Sequence, residues 1–345
     1  MNDQAPLYRG YRGPPSGPMR VLLVKTSSLG DVVHNLPVAS DLARRFPGVC
    51  IDWVVEEAFV DIPRLHPAVG QVIPVAVRRW RKCLVRRSCW SEIGDFRRRL
   101  RAEAYDAVID SQGLLKSALI ARQSRLAPGG WRGGHDRGSA REAVAARFYD
   151  RGFPIPRHLH AVERNRRLAA AIMGYRLDDP CDYGICAPPM HDGWLRASVG
   201  DRPYAVLLTA TSRASKEWPE ERWQILMGDL RRRDWAAVLP GGSDHERSRA
   251  ARLAAALPGN LAAPPLGLAD MARLLAGARA VIGVDTGLVH LAAALGRPTI
   301  ALFRASDPTL TGVYAGRRAV NLGAAGRPPD PSEVCTELDG LVAAT

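Results

Sequence analysis

Short apolar runs alternate with amphipathic segments along most of the chain, and most of the runs end in a small or polar loop. In the first half, runs at about 20–25, 50–55 ("CIDWVV"), 71–75 and 106–110 ("DAVID") are rich in β-branched residues and read as strands. Helical spacing fills the gaps at about 32–45, 89–103 and 114–125, and two further helices are predicted at about 139–149 and 160–173. The pattern restarts with strands at 204–209, 235–240, 280–285 and 299–303. Helices are predicted there from Pro219, over 244–256, over 268–277, and from about 287. Strands alternating with helices imply parallel sheets joined by crossover helices. The fold class is therefore α/β, with two doubly wound, Rossmann-like domains separated by a cleft and ligands beyond the carboxyl ends of the strands. The expected divisions are a disordered leader over 1–18, a first domain over 19–180, a Pro/Gly-rich linker region over 181–203, a second domain over 204–325, and a tail or helix over 326–345.

Composition narrows the class. At 345 residues and 46% hydrophobic, the chain can bury two cores of ordinary size. No apolar run approaches the roughly 20 residues that span a bilayer. The Gly/Pro-rich start lacks the apolar centre of a signal peptide, which predicts a cytoplasmic protein. Six cysteines without CxxC spacing point to reduced thiols rather than to zinc or disulfides, and no metal site is expected. The net charge is +13, and only Lys25, Lys82, Lys116 and Lys216 among the 48 basic residues are lysines. Positive charge concentrates in "RRWRKCLVRRSCW" (78–90) and "RRRLR" (97–101), which suits nucleic acid, an anionic membrane surface or a phosphorylated substrate. Recognition signatures for nucleic acid are missing, so no nucleic-acid partner is expected. No GxGxxG follows a strand, which argues against a nicotinamide-dependent oxidoreductase.

Four loops at strand ends carry candidate chemistry. In "KTSSLGDVVHNLP" (25–37), Asp31 reads either as a first-turn helix acid or as a carboxylate able to accept a proton from a sugar hydroxyl. In "LLTATSRASKEWPEERW" (207–223), the hydroxyls of Thr209, Thr211 and Ser212 with the ammonium of Lys216 suit a diphosphate. In "VIGVDTGLVHLAAALGRP" (281–298), Asp285, Thr286 and Gly287 open a helix whose amides form an anion site, with His290 one turn on. In "LPGGSDHERSR" (239–249), Gly241 and Gly242 permit close backbone approach. Glu246 there either holds ribose hydroxyls or serves the helix start.

These blocks together with "DWVVEE", "VIPVAVRRWRK", "YDAVIDSQGLLKSA", "AREAVAARFYDR", "HAVERNR" and "KEWPEERW" closely resemble the lipopolysaccharide heptosyltransferases of glycosyltransferase family 9, type I members above all. The resemblance runs from about Met19 to about Gly316. It implies the GT-B fold and metal-independent, inverting transfer of L-glycero-D-manno-heptose from ADP-heptose to the first Kdo of Kdo2-lipid A. ADP-heptose is then a substrate, and no cofactor is implied. Asp31 matches the family's catalytic base, and Lys216 matches the lysine on the departing diphosphate. Thr211, Ser212, Glu246, Asp285, Thr286, Gly287 and His290 fall at donor-side positions, and Ser28, Gly30, Arg78, Lys82 and Arg141 at acceptor-side positions. The surrounding arginines and Trp80 are expected to hold the enzyme at the anionic inner leaflet, peripheral to the inner membrane. The family often carries tryptophan where this chain has Gly241, and a glycine where it has Arg304. The sister type II, which adds the second heptose, or another ADP-heptose transferase remains the alternative. Its opening loop usually lacks the Lys-Thr-Ser-Ser of residues 25–28.

Overall fold

The computed structural model describes residues 17–83, 85–211, 217–305 and 307–343. The chain divides into two compact units, one ending at Gly184 and the other beginning at Ile185. The break falls inside the Pro/Gly-rich stretch that the sequence marks as the linker.

The first unit runs β1 (Arg20–Val24), α1 (Leu29–Val33), α2 (Leu36–Arg45), β2 (Cys50–Glu56), α3 (Asp61–Arg64), β3 (Val69–Val75), α4 (Val77–Trp80) and α5 (Arg87–Leu100). It continues with β4 (Ala104–Asp110), α6 (Leu115–Gln123), β5 (Arg125–His135), β6 (Arg151–Phe153) and α7 (Ala161–Met173). Its six strands are all parallel, in the order β3-β2-β1-β4-β5-β6. Val21 sits beside Ile51 on one side and Ala107 on the other. Residues Val21 to Val24 are all buried, which explains why β1 reads as a continuous apolar run rather than an alternating one. Leu22, Val54, Ile73, Val108 and Phe96 form part of one core layer. Full burial of each such side chain contributes about 1.5–3 kcal/mol.

The second unit repeats the plan with α8 (Gly193–Val199), β7 (Tyr204–Leu208), α9 (Glu220–Arg232), β8 (Ala236–Leu239), α10 (Asp244–Ala255), β9 (Leu261–Ala262) and α11 (Leu268–Gly277). It ends with β10 (Ala280–Val284), α12 (Gly287–Ala294), β11 (Thr299–Leu302), α13 (Pro308–Thr311), β12 (Ala319–Leu322) and α14 (Pro331–Ala343). The parallel order is β12-β11-β10-β7-β8-β9, so the first strand of each unit again lies beside the fourth. Its core holds Trp218 and Trp223 edge to face, with centroids 4.9 Å apart, and Trp218 Nε1 donates to Pro329 O at 3.0 Å.

Several stretches depart from the sequence pattern, the short edge strands β9 and β12 among them. Residues 139–149 form no α-helix; only a 3₁₀ segment, Ala143–Phe148, occurs there. The pattern predicts neither β5 nor β6: "RLAPGGWRGGH" in β5 carries the glycine and proline that normally argue against a strand, and β6 is only three residues long. Those glycines have a packing reason: a Cβ at Gly134 would lie 2.3 Å from the Tyr149 ring, and one at Gly133 would lie 2.7 Å from Ile172. The linker region contains α8, which buries Leu195 and Val199 between Gly193 and Gly200. At the other end, the stretch over 326–345 is largely the helix α14.

Candidate active site

In both sheets the chain reverses its winding direction between the first and fourth strands, which is where doubly wound folds bind ligands. In the first unit this brings the loop after β1 (Lys25–Ser28) against the loop after β4 (Ser111–Gln112). Gln112 laces them: its Oε1 accepts from Thr26 N–H (2.9 Å) and Ser27 N–H (3.2 Å), and its Nε2 donates to Ser27 O at 2.6 Å. Asp110 fixes the second loop by accepting from Gln112 N–H (2.9 Å) and from the Tyr149 hydroxyl (2.7 Å).

Asp31 is the third residue of α1, and Ser28 is its N-cap. Asp31 Oδ2 accepts from Ser28 N–H at 2.9 Å and Ser28 Oγ–H at 3.1 Å. Oδ1 lies 3.5 Å from Arg141 Nη2, and the side chain keeps 17% of its surface exposed. The helix-start reading of Asp31 is present in Oδ2, while Oδ1 faces the Arg141 guanidinium. Burial alone would raise its pKa. The Lys25 ammonium, the Arg141 guanidinium and the Ser28 donors outweigh burial and hold the carboxyl below the usual range.

Asp31 and Arg141 line one small pocket with Lys25, Ser111, Gln112, His135, Ala161, Arg164 and Asn165. Lys25 is buried, with Nζ donating to Ser111 O at 2.9 Å and Asn165 Oδ1 at 3.3 Å, and burial lowers its pKa to about 8. His135 is neutral: burial and then the neighbouring Arg164 and Lys25 cations push it down to about 3. Its Nδ1 has no hydrogen-bond partner among the described residues. Lys25 opens the Lys-Thr-Ser-Ser run of residues 25–28, and Arg164 and Asn165 fall within "HAVERNR", but the sequence assigns none of them, nor His135, a role at the site.

The remaining acceptor-side candidates are spread more widely. Gly30 lies within α1 between Ser28 and Asp31. Arg78 sits in α4, its N–H donating to Glu56 Oε1 (2.8 Å) and its guanidinium 5.5 Å from the Phe59 ring centroid. Lys82 is exposed in the turn after α4. Neither lines the Asp31 pocket. Between the two groups lies Lys116, whose Nζ donates to Ser27 Oγ at 3.0 Å.

The second unit has its own pocket of about 200 Å³ at the carboxyl ends of β7, β8 and β10. Leu208, Leu266, Leu268, Met271 and Leu288 give it an apolar wall, and Thr209, Thr211, Gly241, Gly242, Glu246 and Thr286 supply polar groups and exposed backbone. Thr211 Oγ1 donates to Asp285 O at 3.1 Å, joining the loops after β7 and β10. Thr286 is the N-cap of α12, and Gly287 its first residue. Glu246 caps α10: its Oε2 accepts from Gly242 N–H (2.7 Å) and Ser243 N–H (3.0 Å), so the structural reading holds while the side chain also borders the pocket. His290 is 5% exposed within α12 and is not among the residues that line the pocket. A Cβ at Gly241 would lie 2.6 Å from Arg247 N, so α10 leaves no room there for the tryptophan common in the family. Arg304 turns instead to Glu217 O at 2.8 Å. Leu266 and Met271, which also line the pocket, belong to none of the four loops that the sequence marks. Ser212 and Lys216 lie outside the described residues. Among those described, no group of three or more His, Cys, Asp or Glu is placed to hold a metal ion, and no helix is long and apolar enough to cross a membrane.

The sequence profile of glycosyltransferase family 9 (heptosyltransferase) matches residues 93–339, and the chain belongs to that family. It is a glycosyltransferase of the GT-B class, built from two parallel-sheet α/β domains. The lipopolysaccharide heptosyltransferase 1 of Pseudomonas aeruginosa is 51% identical over 306 residues, covering 88% of this chain and 84% of that protein. The structure of E. coli heptosyltransferase WaaC with ADP-2-deoxy-2-fluoro heptose superposes with a TM-score of 0.79 at 41% identity, covering 94% and 99% of the two chains. By contrast, lipopolysaccharide heptosyltransferase 2 of Salmonella typhimurium is 27% identical, with 85% of each chain covered. Similarity therefore favours type 1 over type 2.

Proposed function

We propose that the enzyme moves L-glycero-D-manno-heptose from ADP-heptose to the first Kdo of Kdo2-lipid A, with inversion at the anomeric carbon and without a metal. The first unit holds the acceptor, and the second holds the nucleotide sugar. The observation that carries the reading is the ionised Asp31 carboxylate, cap-anchored through Oδ2 and flanked by Arg141 and Lys25. A carboxylate held low is a weak base, but it stays unprotonated at neutral pH. It takes the Kdo hydroxyl proton as the new C1–O bond forms, when that hydroxyl becomes acidic. The C1–O bond to the β-phosphate breaks at the same time, ADP leaves with the electron pair, and Asp31 then releases its proton to solvent. Such general-base assistance contributes about 10²–10⁴-fold.

On the donor side, the apolar wall of the second-unit pocket suits a flat purine, and Glu246 suits ribose hydroxyls. Thr211, Ser212, Asp285, Thr286 and the α12 amides from Gly287 suit the diphosphate and heptose, with Lys216 stabilising the departing charge. WaaC, solved with an ADP-heptose analogue, supports this donor class. On the acceptor side, Arg141, Arg78 and Lys82 suit the Kdo carboxylate and the lipid A phosphates, because guanidinium pairs in bidentate fashion with such groups. An acceptor with acyl chains places the enzyme at the inner face of the inner membrane. The test is transfer from ADP-heptose to Kdo2-lipid A against heptosyl-Kdo2-lipid A. Preference for the first supports the reading, and preference for the second assigns the enzyme to the second heptose.

A further inference from the structure

Residues 78–90 contain six cations, Arg78, Arg79, Arg81, Lys82, Arg86 and Arg87, and no acid. The nearby carboxylates are already engaged. Arg79 pairs with Glu57 at 3.0 Å and Glu92 at 2.7 Å, and Trp80 Nε1 donates to Glu92 at 3.0 Å. Arg81, Lys82, Arg86 and Arg87 make no ion pair among the described residues, and all four are exposed. Two large apolar side chains stand among them: Val85 is 97% exposed and Trp90 is 60% exposed.

Trp80, expected from sequence to face a membrane, instead turns inward against Phe96, with centroids 5.6 Å apart. Trp90, at the first turn of α5, is the tryptophan that faces out. The chain thus presents an aliphatic and an indole side chain outward in a field of uncompensated positive charge.

We propose that the surface formed by Arg81, Val85, Arg86, Arg87 and Trp90 docks the enzyme onto an anionic phospholipid bilayer. This rests on the lipid-acceptor reading above and names the partner surface and the residues that meet it. The charge complements an anionic leaflet, where each cation near the surface strengthens binding about fivefold. The indole belongs at the headgroup level, where its apolar body and N–H are both satisfied. A polyanion such as DNA would use the cations but has no use for an outward valine.

The test is cosedimentation of the full chain with phosphatidylcholine vesicles, with and without 30% phosphatidylglycerol. The wild type is expected to bind the anionic vesicles, weakly at high salt, and to ignore the neutral ones. Arg86→Glu with Arg87→Glu should weaken binding by about 100-fold or more, two cations being replaced by two anions. Val85→Ser with Trp90→Ser should weaken it about tenfold at unchanged salt dependence. Transfer to a soluble, acyl-free acceptor should be unchanged in both variants and reads the catalytic assignment separately. Equal binding to neutral and anionic vesicles, unaltered binding of both variants, or displacement from vesicles by equimolar duplex DNA would overturn the proposal.

Discussion

Lys25→Met removes a buried ammonium while keeping an unbranched side chain, one atom shorter. Burial lowers the Lys25 pKa from 10.5 to about 8, which corresponds to roughly 3 kcal/mol against the charged form. Because the folded value lies below the unfolded one, the unfolded chain binds this proton more tightly across that window. The native state therefore gains stability as pH rises from about 8 to about 10.5, and the burden is full below pH 8. By linkage the cost is about 3 kcal/mol at pH 7 and about 1 kcal/mol or less at pH 10. Methionine has no such term. The loss of donors to Ser111 O and Asn165 Oδ1 adds an opposing cost of about 1–3 kcal/mol that does not vary in this way. Urea denaturation of both proteins should show the variant gaining on the wild type by about 2–3 kcal/mol at pH 7 compared with pH 10. The acid limb of kcat/KM should also move to higher pH, since Asp31 loses the cation that does most to hold it low. A stability difference that is the same at both pH values, with an unmoved acid limb, would refute the placement of a charged Lys25 beside Asp31.

Two further outcomes follow from contacts already described. Gly241→Ala should weaken ADP binding and cost about 1–3 kcal/mol, because its Cβ meets the α10 backbone at 2.6 Å; calorimetry with ADP and thermal unfolding check both. Arg166→Ala should cost about 3–5 kcal/mol in urea denaturation. It strips a buried Asp41 of bonds at 2.8 and 3.0 Å and frees the Asp179 carbonyl, held at 2.9 Å.

The chain's own pattern shows the architecture well because each strand–helix step is local. β1, with its buried run, and α11, with its helical spacing over 268–277, are legible without neighbours. β5 is not, since Gly133 and Gly134 look like breakers until Ile172 and Tyr149 are seen to occupy the space where side chains would go. The candidate base shows the same division. Asp31 is visible as an acid at a strand-to-helix turn, and its cap partner Ser28 is three residues away. Its electrostatic setting is invisible: Asn165, bonded to Lys25, is 140 residues away in sequence, and Gln112 is 86 residues from Thr26. No periodicity or spacing rule reaches across such distances. On the donor side, Glu246 could be read as cap or ligand, and the cap bonds to Gly242 and Ser243 became plain only with the loop's shape.

The central claim is that Asp31 takes the acceptor proton and has no part in holding the donor. The most direct measurement is Asp31→Asn assayed twice: by mass-shift transfer of heptose onto Kdo2-lipid A, and by calorimetric binding of ADP-heptose. Turnover reduced by about 10²–10⁴-fold with donor affinity unchanged is the predicted result. Preserved turnover with weakened donor binding would contradict the account.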